Sequence, residues 1–293
     1  MVVTEIGGGG IGVQMFQYAS AYALSKIKNV DLQLFSVCDE NVKTSFTWEY
    51  RLNGFLVENK LLSESEYKAF HRSRLVKNLE KLLPPHKRRK ISWIEMAFDE
   101  NFSKYPDDVI LTGIRCGWKF LVGYEDEIRN VFTIRDSLDY SNQVMLDKIR
   151  GSESAFVHIR RGDYTRSPLH YALNIEYFVR TMRSMAESIP QVTFFVFSDD
   201  IEWCKSVLPR DLNLVYTGMN STNSPVQDLN LMSSCKHGIC SNSTFSWWAG
   251  FLIQNKEKQI VAPSKWFSND EMNKDFVVED FYPPEWQVLE PNA

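Results

Sequence analysis

The chain lacks a paired set of cysteines. It has five, Cys38, Cys116, Cys204, Cys235 and Cys240, and no two stand in Cys-x-x-Cys spacing. Cys235 and Cys240 bracket a lone His237, so no histidine pair completes a zinc pattern and no metal site is expected. An odd, scattered count argues against a disulfide scaffold and suits a reducing, cytoplasmic setting. Charge of one sign is also lacking. Lys and Arg number 33 against 37 Asp and Glu, a net charge of −4, which gives no global bias toward nucleic acid. Ahead of the first glycines the apolar run is only Val2–Ile6, far too short for a signal peptide or a membrane span. Asn220-Ser221-Thr222 and Asn242-Ser243-Thr244 match the glycosylation sequon, and without secretion both are expected to stay bare. There is no internal repeat and no low-complexity tract.

What is present is an ordinary globular composition, 44% hydrophobic and 24% charged, over 293 residues, enough for two domains. One segment departs from it. Arg72 to Lys90 carries eight basic residues (Arg72, Arg74, Lys77, Lys81, Lys87, Arg88, Arg89, Lys90) against Glu80 alone, a local +7 that leaves −11 on the remainder. Such a stretch docks on an anionic membrane, binds an acidic glycan, or is a solvated face. Peripheral contact with the inner membrane is the expectation that follows from the first option.

The order of elements reads as α/β. Val2–Ile6 is a strand, residues 7–12 a glycine loop, Val13 to Lys28 a helix with one apolar stripe, and Asp31 to Val37 a second strand, together a βαβ unit. Residues 40–105 read as helices and loops broken at Pro84-Pro85. A strand near Ile110–Gly117 and a helix at Asp139–Arg150 close the first domain, set at residues 1–150. In the second, 151–293, strands at Ala155–Ile159, Thr193–Phe197, Leu214–Tyr216, Gly238–Ser241 and Gln259–Ala262 alternate with helices. Two Rossmann-like domains facing a cleft would seat a nucleotide-linked substrate.

Three constellations carry chemistry. The first is Val157-His158-Ile159-Arg160-Arg161-Gly162-Asp163-Tyr164. A buried strand that ends in two guanidiniums suggests an anion at the carboxyl end of the sheet. Arginine matches phosphate oxygens two at a time and does not deprotonate. We read the run as a pyrophosphate clamp; the plain alternative is an Arg–Asp ion pair. The second is Ser198-Asp199-Asp200 after an apolar strand. A carboxylate accepts both N–H donors on guanine's Watson–Crick edge, so one Asp is expected to read the base and the other to cap the next helix. Adjacent carboxylates on a strand end point apart, which disfavours a metal. The third is Cys240-Ser241-Asn242-Ser243-Thr244-Phe245-Ser246-Trp247-Trp248, a short strand entering a helix through hydroxyls and an amide. Its N-terminal amides form either an ordinary cap or a second anion jaw. One of the two tryptophans is expected to pack inward and the other to stack on sugar or base.

The glycine loop stays ambiguous. Gly7-x-Gly9-x-x-Gly12, with Asp39 past the second strand, formally fits a dinucleotide site, which keeps an NAD-dependent oxidoreductase as a rival. The same loop lets a backbone pass close to a sugar, with Gly10 and Gln14 as contacts. A glycan-binding module without catalysis is a further rival, but it leaves Arg160 and Arg161 unexplained.

Taken together, four segments resemble the bacterial α-1,2-fucosyltransferases: Gly8 to Ala19, His158 to Tyr164, Phe195 to Cys204, and Asp228-Leu229-Asn230-Leu231-Met232-Ser233 through Ser246-Trp247-Trp248. The resemblance implies a GT-B fold, inverting transfer of L-fucose from GDP-fucose to the 2-hydroxyl of a terminal β-galactoside, and no metal or other cofactor. It implies Arg160 on the β-phosphate and Arg161 supporting it or holding Asp163. It places His158 and Asp199 near guanosine, and Ser241, Asn242, Ser243 and Thr244 around the pyrophosphate. Asp163 and His158 are the candidate bases. Where the family reads Gly-Asn-Gln, this chain reads Gly12-Val13-Gln14, so an amide is missing at Val13.

Overall fold

The computed structural model describes residues 1–38, 49–71, 73, 78–135, 137–220 and 225–291. Asp39, Arg72, Arg74 and Lys77 therefore lie outside the described residues. The chain divides into two units, Met1–Arg135 with Val277–Pro283, and Asp136–Phe276 with Pro284–Ala293.

In the first unit four parallel strands, β1 (Val2–Ile6), β2 (Leu32–Ser36), β3 (Lys90–Trp93) and β4 (Val109–Gly113), take the order β2-β1-β4-β3. Helix α1 (Ile11–Lys28) links β1 to β2 and buries Met15, Phe16, Ala19, Ala23 and Leu24. It ends on Asn29 in the left-handed region at φ 53°, with Lys26 and Lys28 in its last turn beside the carbonyl end of the helix dipole. Shorter helices follow, among them α2 (Glu64–Ala69) and α3 (Glu125–Val131). Ser63 starts α2 with a capping box completed by Glu66. Strand β3 was not legible in the sequence. Only Ile91 of its four residues is buried, so the segment has no apolar run to betray it.

The second unit is a six-stranded parallel sheet of order β10-β9-β8-β5-β6-β7. Its strands are β5 (Ser154–Ile159), β6 (Thr193–Ser198), β7 (Leu214–Tyr216), β8 (His237–Ile239), β9 (Ile260–Pro263) and β10 (Gln287–Leu289). Its main helices are α4 (Tyr140–Arg150), α5 (Ile175–Ser188), α6 (Ile201–Val207), α7 (Pro225–Ser233) and α8 (Thr244–Leu252). All six residues of β5 are buried, as expected for a parallel strand covered on both faces. The core joins Ala155, Val157 and Ile159 of β5 to Tyr177, Phe178 and Met182 of α5 and to Phe194 and Val196 of β6.

A break at residue 150 does not match this division. Helix α4 belongs to the second unit, where Asn142 exchanges amide hydrogen bonds with Asn220 at 2.8 and 2.9 Å. Residues 277–283 return to the first unit, where the Asp280 carboxylate accepts from Lys119 Nζ (2.7 Å) and the Phe98 amide (2.9 Å).

The order of the large sheet fixes where a ligand can sit. From β5 the chain builds outward through β6 and β7, then returns to the other side of β5 and builds outward through β8 to β10. The switch point is between β5 and β8, and in open α/β sheets ligands bind outside the carboxyl ends at such a point. The small sheet has its own switch point, between β1 and β4.

Candidate active site

Strand β5 stops pairing with β6 at Ile159 opposite Ser198, and the two arginines follow at once. Arg160 is held from two sides: Nη2 lies 2.8 Å from Asp163 Oδ1, and Nη1 lies 3.0 Å from Asp199 Oδ2. Its guanidinium also stands 5.6 Å from the centre of the Tyr164 ring. It keeps 29% of its side-chain surface open, enough for an anion to reach it. Of the two expected parts of Arg161, supporting the β-phosphate contact or holding Asp163, the second falls to Arg160 instead. Arg161 Nε reaches Asp200 Oδ2 at 3.2 Å, and its guanidinium lies 3.8 Å from the centre of the Trp203 ring.

Asp199 is also placed otherwise than a base reader would be. Its Oδ1 accepts from the Arg161 amide at 2.9 Å while its Oδ2 holds Arg160. Both oxygens thus shape the arginine loop. Asp200 takes the expected capping part and accepts from the Trp203 amide at the start of α6, at 3.3 Å.

Beneath the arginines sits His158, buried, with Nδ1 2.8 Å from Ser241 Oγ across the β5–β8 switch point. Burial, chiefly, and the neighbouring Arg160 charge push its pKa well below the ordinary histidine value, against an opposing pull from Asp199. The imidazole is therefore neutral at pH 7. It positions Ser241 and adds no positive charge.

The serine-rich turn after β8 divides its labour. Ser241 is bound to His158, and the Ser246 hydroxyl donates to the Ser241 and Ser243 carbonyls at 3.2 and 3.1 Å. Asn242, fully buried, donates from Nδ2 to the Trp266 and Tyr171 carbonyls at 2.9 and 3.2 Å, while its Oδ1 is buried without a partner. Ser243 is the N-cap of α8 and accepts from the Phe245 amide at 3.3 Å. Thr244 opens the helix, half-buried, where first-turn amides have no acceptor within the helix. Ser241, the Asn242 amide nitrogen and Ser243 thus help to build the turn, and the start of the helix at Thr244 offers first-turn amides to an anion. The Tyr164 hydroxyl donates to the Asn242 carbonyl at 3.2 Å and ties the arginine loop to this turn. Both tryptophans are core residues: Trp247 and Trp248 are 1% and 0% exposed, so neither stacks on a ligand.

Gly10 and Gln14 lie in the first unit. Gly10 is the N-cap of α1, and its carbonyl accepts from the Val13 and Gln14 amides. The Gln14 amide is fully engaged, donating to the Gly9 and Glu49 carbonyls (3.2 and 2.7 Å) and accepting from the Arg51 amide (2.9 Å). Gln17 staples the loop further, bonding both polar atoms of Gly7 and the Gly113 carbonyl across the small sheet's switch point. Gly7 and Gly8 sit at φ 146° and 70°, which explains part of the glycine run as backbone geometry.

Sequence reasoning assigned no part to Tyr164, Trp203 or Asp228. All three stand in the motif runs, but only the fold puts the rings of Tyr164 and Trp203 against the arginines. Asp228, on α7, accepts from Asn220 Nδ2 at 2.7 Å, and burial raises its carboxyl to about 6. Among the described residues no group of three or more His, Cys, Asp or Glu could hold a metal ion, and no helix is long and apolar enough to cross a membrane.

Comparison with known proteins agrees with the motifs. The alpha-1,2-colitosyltransferase of Escherichia coli is 30% identical, with 99% of each chain aligned. The galactoside alpha-(1,2)-fucosyltransferase 1 of Oryctolagus cuniculus is 26% identical over 70% of this chain and 59% of its own. In fold, the structure of a mutant of Arabidopsis thaliana FUT1 in complex with GDP matches with a TM-score of 0.52 at 12% identity, covering 92% of this chain and 72% of the other. The shared class is α/β of the GT-B type. The model of glycosyl transferase family 11 matches residues 1–290, which spans both parallel sheets and every motif described above, and the chain belongs to that family.

Proposed function

We propose that this glycosyltransferase moves L-fucose from GDP-fucose to the 2-hydroxyl of a terminal β-galactoside, inverts the anomeric centre, and needs no metal. The observation that carries the reading is Arg160, fixed by Asp163 and Asp199 at the carboxyl end of β5, across the switch point from the start of α8. As the C1–O bond of the donor breaks, negative charge grows on the β-phosphate. A guanidinium already held in place meets that charge without reorganisation. Asp163 and His158 then act on Arg160 and Ser241, and neither is assigned the acceptor proton. The five free cysteines suit a reducing compartment such as the cytoplasm. The nicotinamide and glycan-binding readings lose ground to the family match over residues 1–290.

A second donor is favoured by one observation, the full-length similarity to a protein named for colitosyl transfer. Colitose is fucose without its 3-hydroxyl, so the same clamp would serve a GDP-colitose donor.

The test is incubation with GDP-fucose or GDP-colitose and a panel of β1,3- and β1,4-galactosides, followed by linkage analysis, with and without chelator. A product linked at O2, formed equally with chelator, is expected. Arg160→Ala should cost about 10²–10³ in turnover, the loss seen when one oxyanion donor is removed elsewhere. Turnover within tenfold of the wild type would overturn the role of Arg160.

A further inference from the structure

Within the basic stretch, residues 79–83 fold into a turn that carries none of the residues of the proposed clamp. Leu82 N–H donates to the Leu79 carbonyl and Leu83 N–H to the Glu80 carbonyl, both at 3.0 Å, one turn of helical spacing. That spacing puts Leu79, Leu82 and Leu83 on one face. The face is bare: Leu82 is 83% exposed and Leu79 65%. Isolated exposed leucines are ordinary, but three on one turn form an apolar knob that water disfavours.

The turn is built to hold that shape. Arg88 folds back, donating from Nε to the Leu83 carbonyl (3.0 Å) and from Nη2 to the Lys81 carbonyl (3.2 Å). Pro84 and Pro85 stiffen the exit into a short 3-10 turn at Pro85–Lys87. Other cations of the stretch have partners within the unit: Arg89 pairs with Asp108 at 2.7 Å and Lys90 with Glu5 at 3.0 Å. Lys81 and Lys87 are exposed in the same segment, and Glu80 is the one acid between residues 72 and 90.

We propose that this turn, Leu79 to Lys87, docks the enzyme on an anionic lipid bilayer. The leucines enter the headgroup–acyl boundary while Lys81 and Lys87 meet lipid phosphates. Charge complementarity selects this occupant: a wet apolar knob flanked by lysines matches an anionic interface, where apolar insertion and surface charge add. Among the described residues of the stretch, Arg88, Arg89 and Lys90 are engaged by the fold, while Lys81 and Lys87 are exposed.

Co-sedimentation of the full-length protein with vesicles of phosphatidylcholine, with and without phosphatidylglycerol, tests it. Binding is expected on the mixed vesicles and not on phosphatidylcholine alone. Lys81→Gln and Lys87→Gln should each weaken it about fivefold, the effect of one cation near such a surface. Leu79→Ser with Leu82→Ser should weaken it at least tenfold. These positions are exposed, so thermal melting and transfer to a soluble acceptor should not change. Failure of the wild type to bind the mixed vesicles would overturn the proposal, as would variants that bind like it. A dimer in analytical ultracentrifugation that the leucine variants disperse would assign the knob to a second copy of the chain instead, and would also overturn it.

Discussion

At the arginine loop the smallest residue is the least replaceable. Gly162 lies against the Asp199 carboxylate, and a Cβ added there would stand 2.6 Å from Asp199 Oδ2 and 3.2 Å from its Cγ. Asp199 has little room to yield, because its oxygens hold the Arg161 amide and the Arg160 guanidinium. Gly162→Ala should therefore displace Asp199, release one side of Arg160, and lower GDP affinity and turnover by about tenfold, on the order of 1.4 kcal/mol. Calorimetry with GDP and a thermal melt would check it: a normal melt with weakened GDP binding is expected, and unchanged binding would show that Arg160 does not depend on Asp199. The same loop favours arginine over lysine at both positions. A lysine at 161 would keep the charge but lose the stack on Trp203, and one at 160 would not span Asp163 and Asp199 as a planar fork does.

Between helices, a chain of amides ends in an acid. Asn142 of α4 bonds Asn220, and Asn220 bonds Asp228 of α7, so the two helices are coupled through polar groups. Burial raises the Asp228 carboxyl to about 6, with the Asn220 hydrogen bond pulling the other way. A carboxyl whose pKa is higher folded than unfolded binds its proton more tightly in the native state. Stability is then lost as pH rises from about 4 through about 6. Asp228→Asn keeps the hydrogen-bonding shape and removes the charge. The variant should gain about 1–2 kcal/mol over the wild type at pH 8, discounted for partial exposure, and show no gain at pH 4. Urea unfolding at the two pH values measures it, and a pH-independent difference would show that Asp228 does not titrate in this window.

Across the whole molecule, the proposed nucleotide site would exist only in the folded state, because its parts come from distant stretches of chain. A ligand that binds only the native state raises stability by mass action, about 2.7 kcal/mol at a hundredfold excess over Kd. For a chain of this length that is a melting shift of about 5 °C. GDP should produce this shift, NAD should not, and Arg160→Ala should abolish it. An NAD shift without a GDP shift would revive the dinucleotide reading of the glycine loop. Whole-chain connectivity matters as well. Residues 277–283 complete the first unit although they follow most of the second, with the Trp118 indole donating to the Glu279 carbonyl at 3.0 Å. The two units are therefore not separable by a single cut.

Local order was legible where the chain is locally consistent. Buried parallel strands such as β5 and β6 read as unbroken apolar runs, and Gly, Ser, Asn and Asp marked the turns that follow them. Edge strands β3 and β10 escaped because little of either is buried. Residue types at the site were also legible, since a strand that ends in two guanidiniums invites an anion. Which carboxylate holds which arginine was not. Arg160 on Asp199, His158 on Ser241, and Tyr164 on Asn242 join residues up to 83 positions apart. The sequence by itself determined two βα-alternating halves and the charge of the clamp, because periodicity and side-chain chemistry are local. Only the tertiary structure decided that β5 and β8 lie side by side with their carboxyl ends together. Strand order depends on how the helices cross over the sheet, which no short window of residues contains.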